Sequence, residues 1–267
     1  MILNKYTVID AHCHIYPEKI AKLAVNGTDT FYGLNSVYSG TVSDLTDKIS
    51  LGIDKFVVHS VATSPRQVSS INHFIAKSVQ DSGGRFFGLG TLHPESESIE
   101  KDIDELVCLN LGGVKLHPDI QKFELDCDKM MRIYSECRKR SLPLLIHTGD
   151  YRYDFSNPDR MKKVLDKFPE LTVVGAHFGG WSVWEEAANE LSSYGNFYVD
   201  TSSSFYALSK EKAEDIIHKY GCGKVLFGTD YPMWNTKNEL DFLLSLDLEE
   251  SELTAVLSEN AKKVYGF

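Results

Sequence analysis

A chain of 267 residues with a formal net charge of −10 and 42% apolar residues has the balance of a soluble globular protein, long enough for one large α/β barrel or two ordinary domains. The acidic balance excludes nucleic acid and an anionic membrane surface as expected partners, since both demand a basic footprint; a small-molecule substrate and a homo-oligomer stay open. No apolar h-region follows a basic start and no apolar run is long enough to span a bilayer, so a cytoplasmic protein is expected. The five cysteines, Cys13, Cys108, Cys127, Cys137 and Cys222, are an odd number without Cys-x-x-Cys spacing, which points to reduced thiols rather than a disulfide framework or a thiolate zinc site.

Along the chain, short β-rich runs alternate with helical periodicity. The first strand is Val8-Ile9-Asp10-Ala11-His12-Cys13-His14. Period-two alternation predicts Asp10, His12 and His14 on one face and Ile9, Ala11 and Cys13 on the other. Residues 15–40 then read as a long irregular loop carrying Tyr16, Phe31, Tyr32 and Tyr38, and a loop of that length in a compact domain is typically a lid or binding loop. Thr41-x-x-Asp44 predicts a helix start, with Leu45 and Ile49 on one face. Strand two is Phe56–His59 and strand three Phe86–Thr91, followed by Ile99, Ile103, Leu106 and Val107 at helical spacing. Strand four is Gly113–His117, with a helix around Met130–Arg140 behind it. Strands five to eight are Leu144–His147, Val173–His177, Phe197–Asp200 and Val225–Asp230, and two helical patterns close the chain, the last through Leu253, Val256 and Leu257. Eight β–α units with continuous apolar strands predict a closed (β/α)₈ TIM barrel, one domain over 1–267. No Gly-x-Gly-x-x-Gly follows strand one, against a dinucleotide-binding fold.

The strand ends share a pattern. His12 and His14 end strand one, His59 strand two, His117 strand four, His147 strand five and His177 strand six, while Asp200 and Asp230 end strands seven and eight and His93 lies just past strand three. His73 and His218 fall inside predicted helices and are expected to be solvated. Loops at the C-terminal strand ends of a barrel line one mouth, and imidazoles with carboxylates gathered there are what a zinc site requires.

Asp-x-His-x-His after strand one, Gly-Val-Lys-Leu-His-Pro at 113–118, Ile-His-Thr-Gly at 146–149, Gly-Ala-His-Phe-Gly-Gly at 175–180 and Phe-Gly-Thr-Asp-Tyr-Pro at 227–232 resemble the amidohydrolase superfamily, in particular the branch of aminocarboxymuconate semialdehyde decarboxylase and related metal-dependent hydrolases. The ending Asn260-Ala261-Lys262-Lys263-Val264-Tyr265-Gly266 resembles that branch's final helix; residues 15–40 lie outside the likeness. The resemblance implies that His12, His14, His147 and Asp230 bind one divalent ion, expected to be zinc although another metal is open, and that His177 orients or deprotonates a water beside it. Asp230 would hold the ion through one oxygen and take a proton through the other. In binuclear members a carbamylated lysine bridges two ions; here Lys115 lies two residues before the strand end, a poor place for a bridge, so one ion is expected.

Other positions carry weaker expectations. Lys115 and His117 share strand parity and face the barrel interior, Lys115 as a buried ion-paired or substrate-facing amine. His59 and His117 are expected around the pocket. Arg66 or Arg152 could grip a substrate carboxylate bidentately, although each alone also fits a solvated loop charge, and Trp181, Tyr231 and Trp234 wall the pocket or pack helices on the barrel. The leading expectation is a metal-dependent hydrolase that cleaves a small amide, lactone or ester with activated water. The alternative is a decarboxylase of an unsaturated or aromatic carboxylic acid.

Overall fold

The computed structural model describes residues 5–266. Nine short parallel strands occupy eight barrel positions: β1 Ile9–His14, β2 Lys55–His59, β3 Phe86–Gly88, β4 Gly90–Thr91, β5 Val114–Leu116, β6 Leu144–Ile146, β7 Val173–Gly175, β8 Phe197–Asp200 and β9 Val225–Leu226. They run in the orders β1-β2-β3 and β4 through β9. The expected third strand is divided at Leu89, whose N–H still bonds the Val58 carbonyl of β2 (2.9 Å) while Gly90 N–H has turned to Gly113 (2.9 Å). At the other seam Ala11 N–H donates to Phe227 O (2.8 Å) and His14 N–H to Tyr231 O (2.7 Å), closing the ring.

Helices form the outer layer, among them α1 Glu18–Tyr32, α2 Val42–Thr46, α3 Val68–Asp81, α4 Ile99–Cys108 and α5 Pro118–Gln121 in the first half. Most of the core lies between sheet and helices, where Val58, Val114, Leu144 and Val173 meet Ile75, Ile103, Ile133 and Val164. A second cluster fills the barrel itself with Ile9, Ala11, Val57, Leu89, Leu145, Val174 and Leu226, and Ala261 and Tyr265 of the terminal helix join it. This filled interior leaves room for chemistry at one rim only. No described helix is long and apolar enough to cross a membrane.

Two expectations need correction. Strict alternation along β1 fails: Ile9 and Ala11 point into the barrel, whereas Cys13 belongs to the outer layer. The β1–β2 register shifts between Asp10 and Cys13, and such an irregularity re-aims the side chains beyond it. The second correction concerns residues 15–40, which are not an irregular loop but are dominated by α1. Ala21 and Val25, four apart, supply its buried stripe, and Gly33 ends it in the left-handed conformation (φ 69°), a position suited to a residue without Cβ. Two of its other apolar residues, Ile20 and Leu23, are 48% and 76% exposed, so its pattern does not resolve into one core-facing stripe.

Candidate metal centre

The mouth holds three atoms with mutual separations of one length. His12 Nε2 and His14 Nε2 are 3.3 Å apart, and each lies 3.3 Å from Asp230 Oδ1. An equilateral triangle of that edge has a point about 2 Å from every corner, the metal–nitrogen and metal–oxygen distance of a zinc-type site. Asp230 Oδ1 is buried and has no hydrogen-bond partner among the described residues. His12 donates Nδ1–H to Asp200 Oδ2 (2.8 Å), which leaves the lone pair of Nε2 aimed into the triangle. A carboxylate outside the first ring that fixes an imidazole this way is the usual support of a metal-binding histidine. The donor set therefore fits a divalent ion, and Asp230 Oδ1, a buried anionic oxygen without a donor among the described residues, is poorly satisfied without a cation.

Protonation agrees with that reading. Burial keeps His12 neutral, lowering it to about 4, and lowers His14 likewise. Burial pushes Asp200 up, but its pairing with His12 and the Nδ1–H hydrogen bond outweigh that and hold it at about 2. Asp230 is pushed up by burial too, yet His12 and His14 hold it well below the ordinary carboxylate range. Lys115 is buried beneath the triangle with Nζ 3.2 Å from His12 Nε2, and burial lowers it to about 8.

Backbone strain sits at the same places. His177 (φ 60°), Ser203 (φ 44°) and Asp230 (φ 56°) are left-handed without being glycine, a conformation that persists where surrounding bonds over-determine it. Those bonds are present. Asp200 Oδ1 accepts from His177 N (3.0 Å) and Ser202 N (3.1 Å). Asp230 Oδ2 accepts from Ser203 Oγ, which in turn accepts from Trp234 Nε1 (2.6 Å). Asp10 receives Thr229 N (3.0 Å) and Thr229 Oγ1 (2.6 Å), tying β1 to the loop that carries Asp230.

A proton chain runs along the far side. His117 Nδ1 accepts from Ile120 N (3.3 Å), so in the neutral ring Nε2 carries the hydrogen and donates to Tyr32 Oη (2.8 Å). Tyr32 O–H then points to His147 Nε2 (3.3 Å). His147 Nδ1 is 2.9 Å from His177 Nε2, and His177 Nδ1 is 3.0 Å from Ser202 O, a pure acceptor. The consistent tautomers put hydrogen on His177 Nδ1 and on His147 Nδ1. His147 and His117 stack face to face with centroids 4.0 Å apart, and Asp119 Oδ2 is 3.6 Å from His147 Nε2.

The sequence-predicted residues thus divide. His12, His14, Asp230, Lys115 and His177 gather at one floor. His147 lies on the same floor beside His177 and Tyr32, its ring nitrogens bonded to those two rather than to the triangle. His117 and Trp181 line the cavity as well. His59 is fully buried behind the pair, its ring centroid 4.4 Å from that of His14, with both nitrogens unpartnered among the described residues. Arg152 is committed to Asp150 (2.6 Å) and to the carbonyl of Phe31 (2.8 Å) and does not line the cavity. Arg66 is exposed. Tyr231 gives its hydroxyl to Thr41 O (2.9 Å), and Trp234 acts through Ser203. His93 takes Glu95 N–H (3.2 Å) outside the cavity, and His73 and His218 lie exposed on helices, as expected.

Sequence reasoning assigned no role to Ser202, Ser203 or Asp119, and left Asp200 as a strand end without a partner. Only Asp200 carried a signal, its place at the end of β8. Tyr32 was visible as one aromatic among several; its reach to two histidines depends on α1.

Known proteins bear on this centre. Residues 9–267 match the family model described as amidohydrolase. A curated relative, 2-amino-3-carboxymuconate-6-semialdehyde decarboxylase of Dictyostelium discoideum, is 24% identical over 208 residues, which cover 61% of this chain and 55% of the relative; the match spans about half of that protein's length. Among solved structures, an uncharacterized TIM-barrel protein from Bordetella bronchiseptica superposes with a TM-score of 0.80 at 20% identity, covering 97% of this chain and 98% of its own. The 5-carboxyvanillate decarboxylase of Novosphingobium aromaticivorans, solved with manganese and 4-hydroxy-3-methoxy-5-nitrobenzoic acid, gives 0.77 at 15% identity, covering 98% and 96%. The TIM-barrel architecture is therefore shared, and with the family match running from β1 to the C-terminus the chain belongs to the amidohydrolase family of enzymes.

Proposed function

We propose that this protein is a metal-dependent decarboxylase of a small unsaturated or aromatic carboxylic acid. The observation that carries the reading is the two-imidazole, one-carboxylate triangle set beside a buried lysine at the floor of a largely apolar cavity. Decarboxylation needs a cationic seat for the carboxylate, a dry surrounding and a proton for the carbon left behind. The decarboxylase relatives support this choice over the hydrolysis that the sequence first suggested.

His12, His14 and Asp230 would hold the ion, with His147 as fourth ligand once its Nε2 exchanges Tyr32 for the metal. Zinc was the expectation; the manganese of the Novosphingobium enzyme makes that ion an equal candidate. When bound, it would supply positive charge for the substrate's oxygens, steadying negative charge as the carboxylate leaves. Lys115 Nζ binds the same carboxylate from below. The carbon–carbon bond breaks, its electron pair stays on the substrate carbon, carbon dioxide departs, and one proton must reach that carbon. The proton comes from solvent: before substrate seals the cavity, His177 Nε2 would release His147 Nδ1–H and take up that proton, with Nδ1–H held by Ser202 O, and then pass it to the carbon. The apolar walls exclude water and favour the dispersed charge of the transition state over the localised carboxylate.

The test loads the full chain with zinc or manganese and offers a panel of aromatic and unsaturated acids in deuterium oxide. Carbon dioxide release with one deuterium at the carbon that lost it is the expected result. Turnover of amides, lactones or esters, with no carbon dioxide from any acid, would return the assignment to hydrolysis.

A further inference from the structure

The cavity above the metal centre has a volume of about 630 Å³, far more than a carboxylate on one ring needs. Its floor is polar and buried: His14, Lys115, His117, His147, His177 and Asp230. Its outer sleeve is not. Ile20, Leu23 and Ala24 of α1 stand across from Ile71 and Phe74 of α3, with Met233 between the floor and the rim. Leu23 is 76% exposed and Ile20 48%, apolar area that a ligand in the sleeve would cover.

Charge in the sleeve matters as much as its apolarity. Among the described residues that line the cavity, Lys115 is the one lysine or arginine, and it lies at the floor. Arg152 lies behind the wall, 5.1–5.3 Å from the rings of the lining Phe31, Tyr32 and Trp181, with its guanidinium held by Asp150, and Arg66, beside the lining Gln67, is exposed outside the wall. Several polar groups of the sleeve are taken up by local partners. Thr28 Oγ1 donates to Ala24 O (3.3 Å), Ser70 Oγ to Gln67 O (3.0 Å), and Gln67 Oε1 accepts from Thr63 N (2.8 Å). A second carboxylate laid against the sleeve's apolar walls would give up part of its water and find no lysine or arginine among the described lining residues there.

We infer that the substrate is a monocarboxylic acid with an apolar tail, its single carboxylate on the floor and its tail between α1 and α3. The inference rests on the proposed decarboxylase and specifies what that enzyme takes. It also sets this chain apart from a relative named for a substrate with an added carboxyl group.

The test measures binding apart from turnover. Metal-loaded full-length protein is titrated calorimetrically with benzoate and its 4-ethyl, 4-butyl and 4-hexyl derivatives, and with terephthalate. Burial of one methylene at about 0.8 kcal/mol predicts affinity rising about fourfold per carbon until the sleeve is full. Terephthalate should bind at least about tenfold more weakly than 4-ethylbenzoate. Leu23→Arg, at an exposed position that folding does not need, should reverse the order by weakening 4-butylbenzoate and admitting terephthalate. A flat series, no binding by any member, or terephthalate binding that Arg66→Ala abolishes would each overturn the inference. Tight binding of tailed acids without carbon dioxide release would leave it standing and remove the decarboxylase instead.

Discussion

On the floor of the mouth, His12, His177 and Asp200 are each held from more than one direction, whereas α1, which roofs it, is tied down at a few points. Asp200 alone accepts from His12, from the His177 and Ser202 amides and from the Ser202 hydroxyl. Helix α1 reaches the barrel through Tyr32 to His117 and His147, through Phe31 O to Arg152, and through the apolar contacts of Ala21 and Val25. The segment behind it is pinned by Val37 and Tyr38 N–H to Pro232 O (3.2 and 3.1 Å). The floor is pre-organised for charge and strained to stay so; the roof is apolar and lightly anchored. Rate and metal affinity should therefore depend on the floor, substrate choice on the roof.

The sharpest way to break that division is Asp230→Ala. It removes one corner of the triangle and its only anion, so metal affinity should fall by more than the roughly 10–100-fold typical of losing an outer-shell partner, and turnover with it. Retained metal by elemental analysis would move the site elsewhere. His177→Asn comes next. If His177 carries the proton, turnover drops by about 10²–10⁴-fold while bound metal is unchanged; metal lost in step with activity would make His177 a ligand. Asp200→Asn should be milder. Asparagine can still accept from His12 Nδ1–H but without the charge, so metal affinity falls by about 10–100-fold, with the fold intact by circular dichroism. An unchanged dissociation constant would show that Asp200 serves only the backbone of β8.

Legibility in the sequence follows the same line between floor and roof. The strands were readable because their runs are short, apolar and evenly spaced, and the shared place of His12, His14, His147, His177 and Asp230 at one mouth was readable because they recur at one phase of that repeat. The buried position of Lys115 followed from parity with His117. What the strands do to each other was not readable. The register shift in β1 sends Cys13 outward against alternation, because pairing with β2 and closure onto the Tyr231 loop outweigh local periodicity. The split at Leu89 comes from a change of partner strand, which no single run encodes. The Asp230–Ser203–Trp234 relay joins residues from two loops whose meeting depends on barrel closure. Helix α1 was missed for another reason: helical periodicity is recognised by one buried face, and α1 shares its apolar residues between the barrel and the cavity.

Tyr32→Phe probes the one polar link between roof and floor, and its effect should be the smallest. The change keeps the ring that packs against Trp181 (centroids 5.2 Å apart) and Phe31 (4.8 Å), so α1 keeps its apolar seat. It removes the hydroxyl that accepts from His117 and donates to His147. One such hydrogen bond is worth about 1 kcal/mol net, which sets KM for a bound acid rising about fivefold while kcat stays within about twofold. His147 Nε2, freed of its donor, should bind metal no worse than before. Amide hydrogen exchange supplies the independent reading: protection should fall along α1, and stay unchanged in β1 and β8, since local opening follows the loss of local contacts. If Tyr32→Phe lowered metal affinity as far as Asp200→Asn does, Tyr32 would be part of the floor, and the division between a roof that selects and a floor that reacts would not hold.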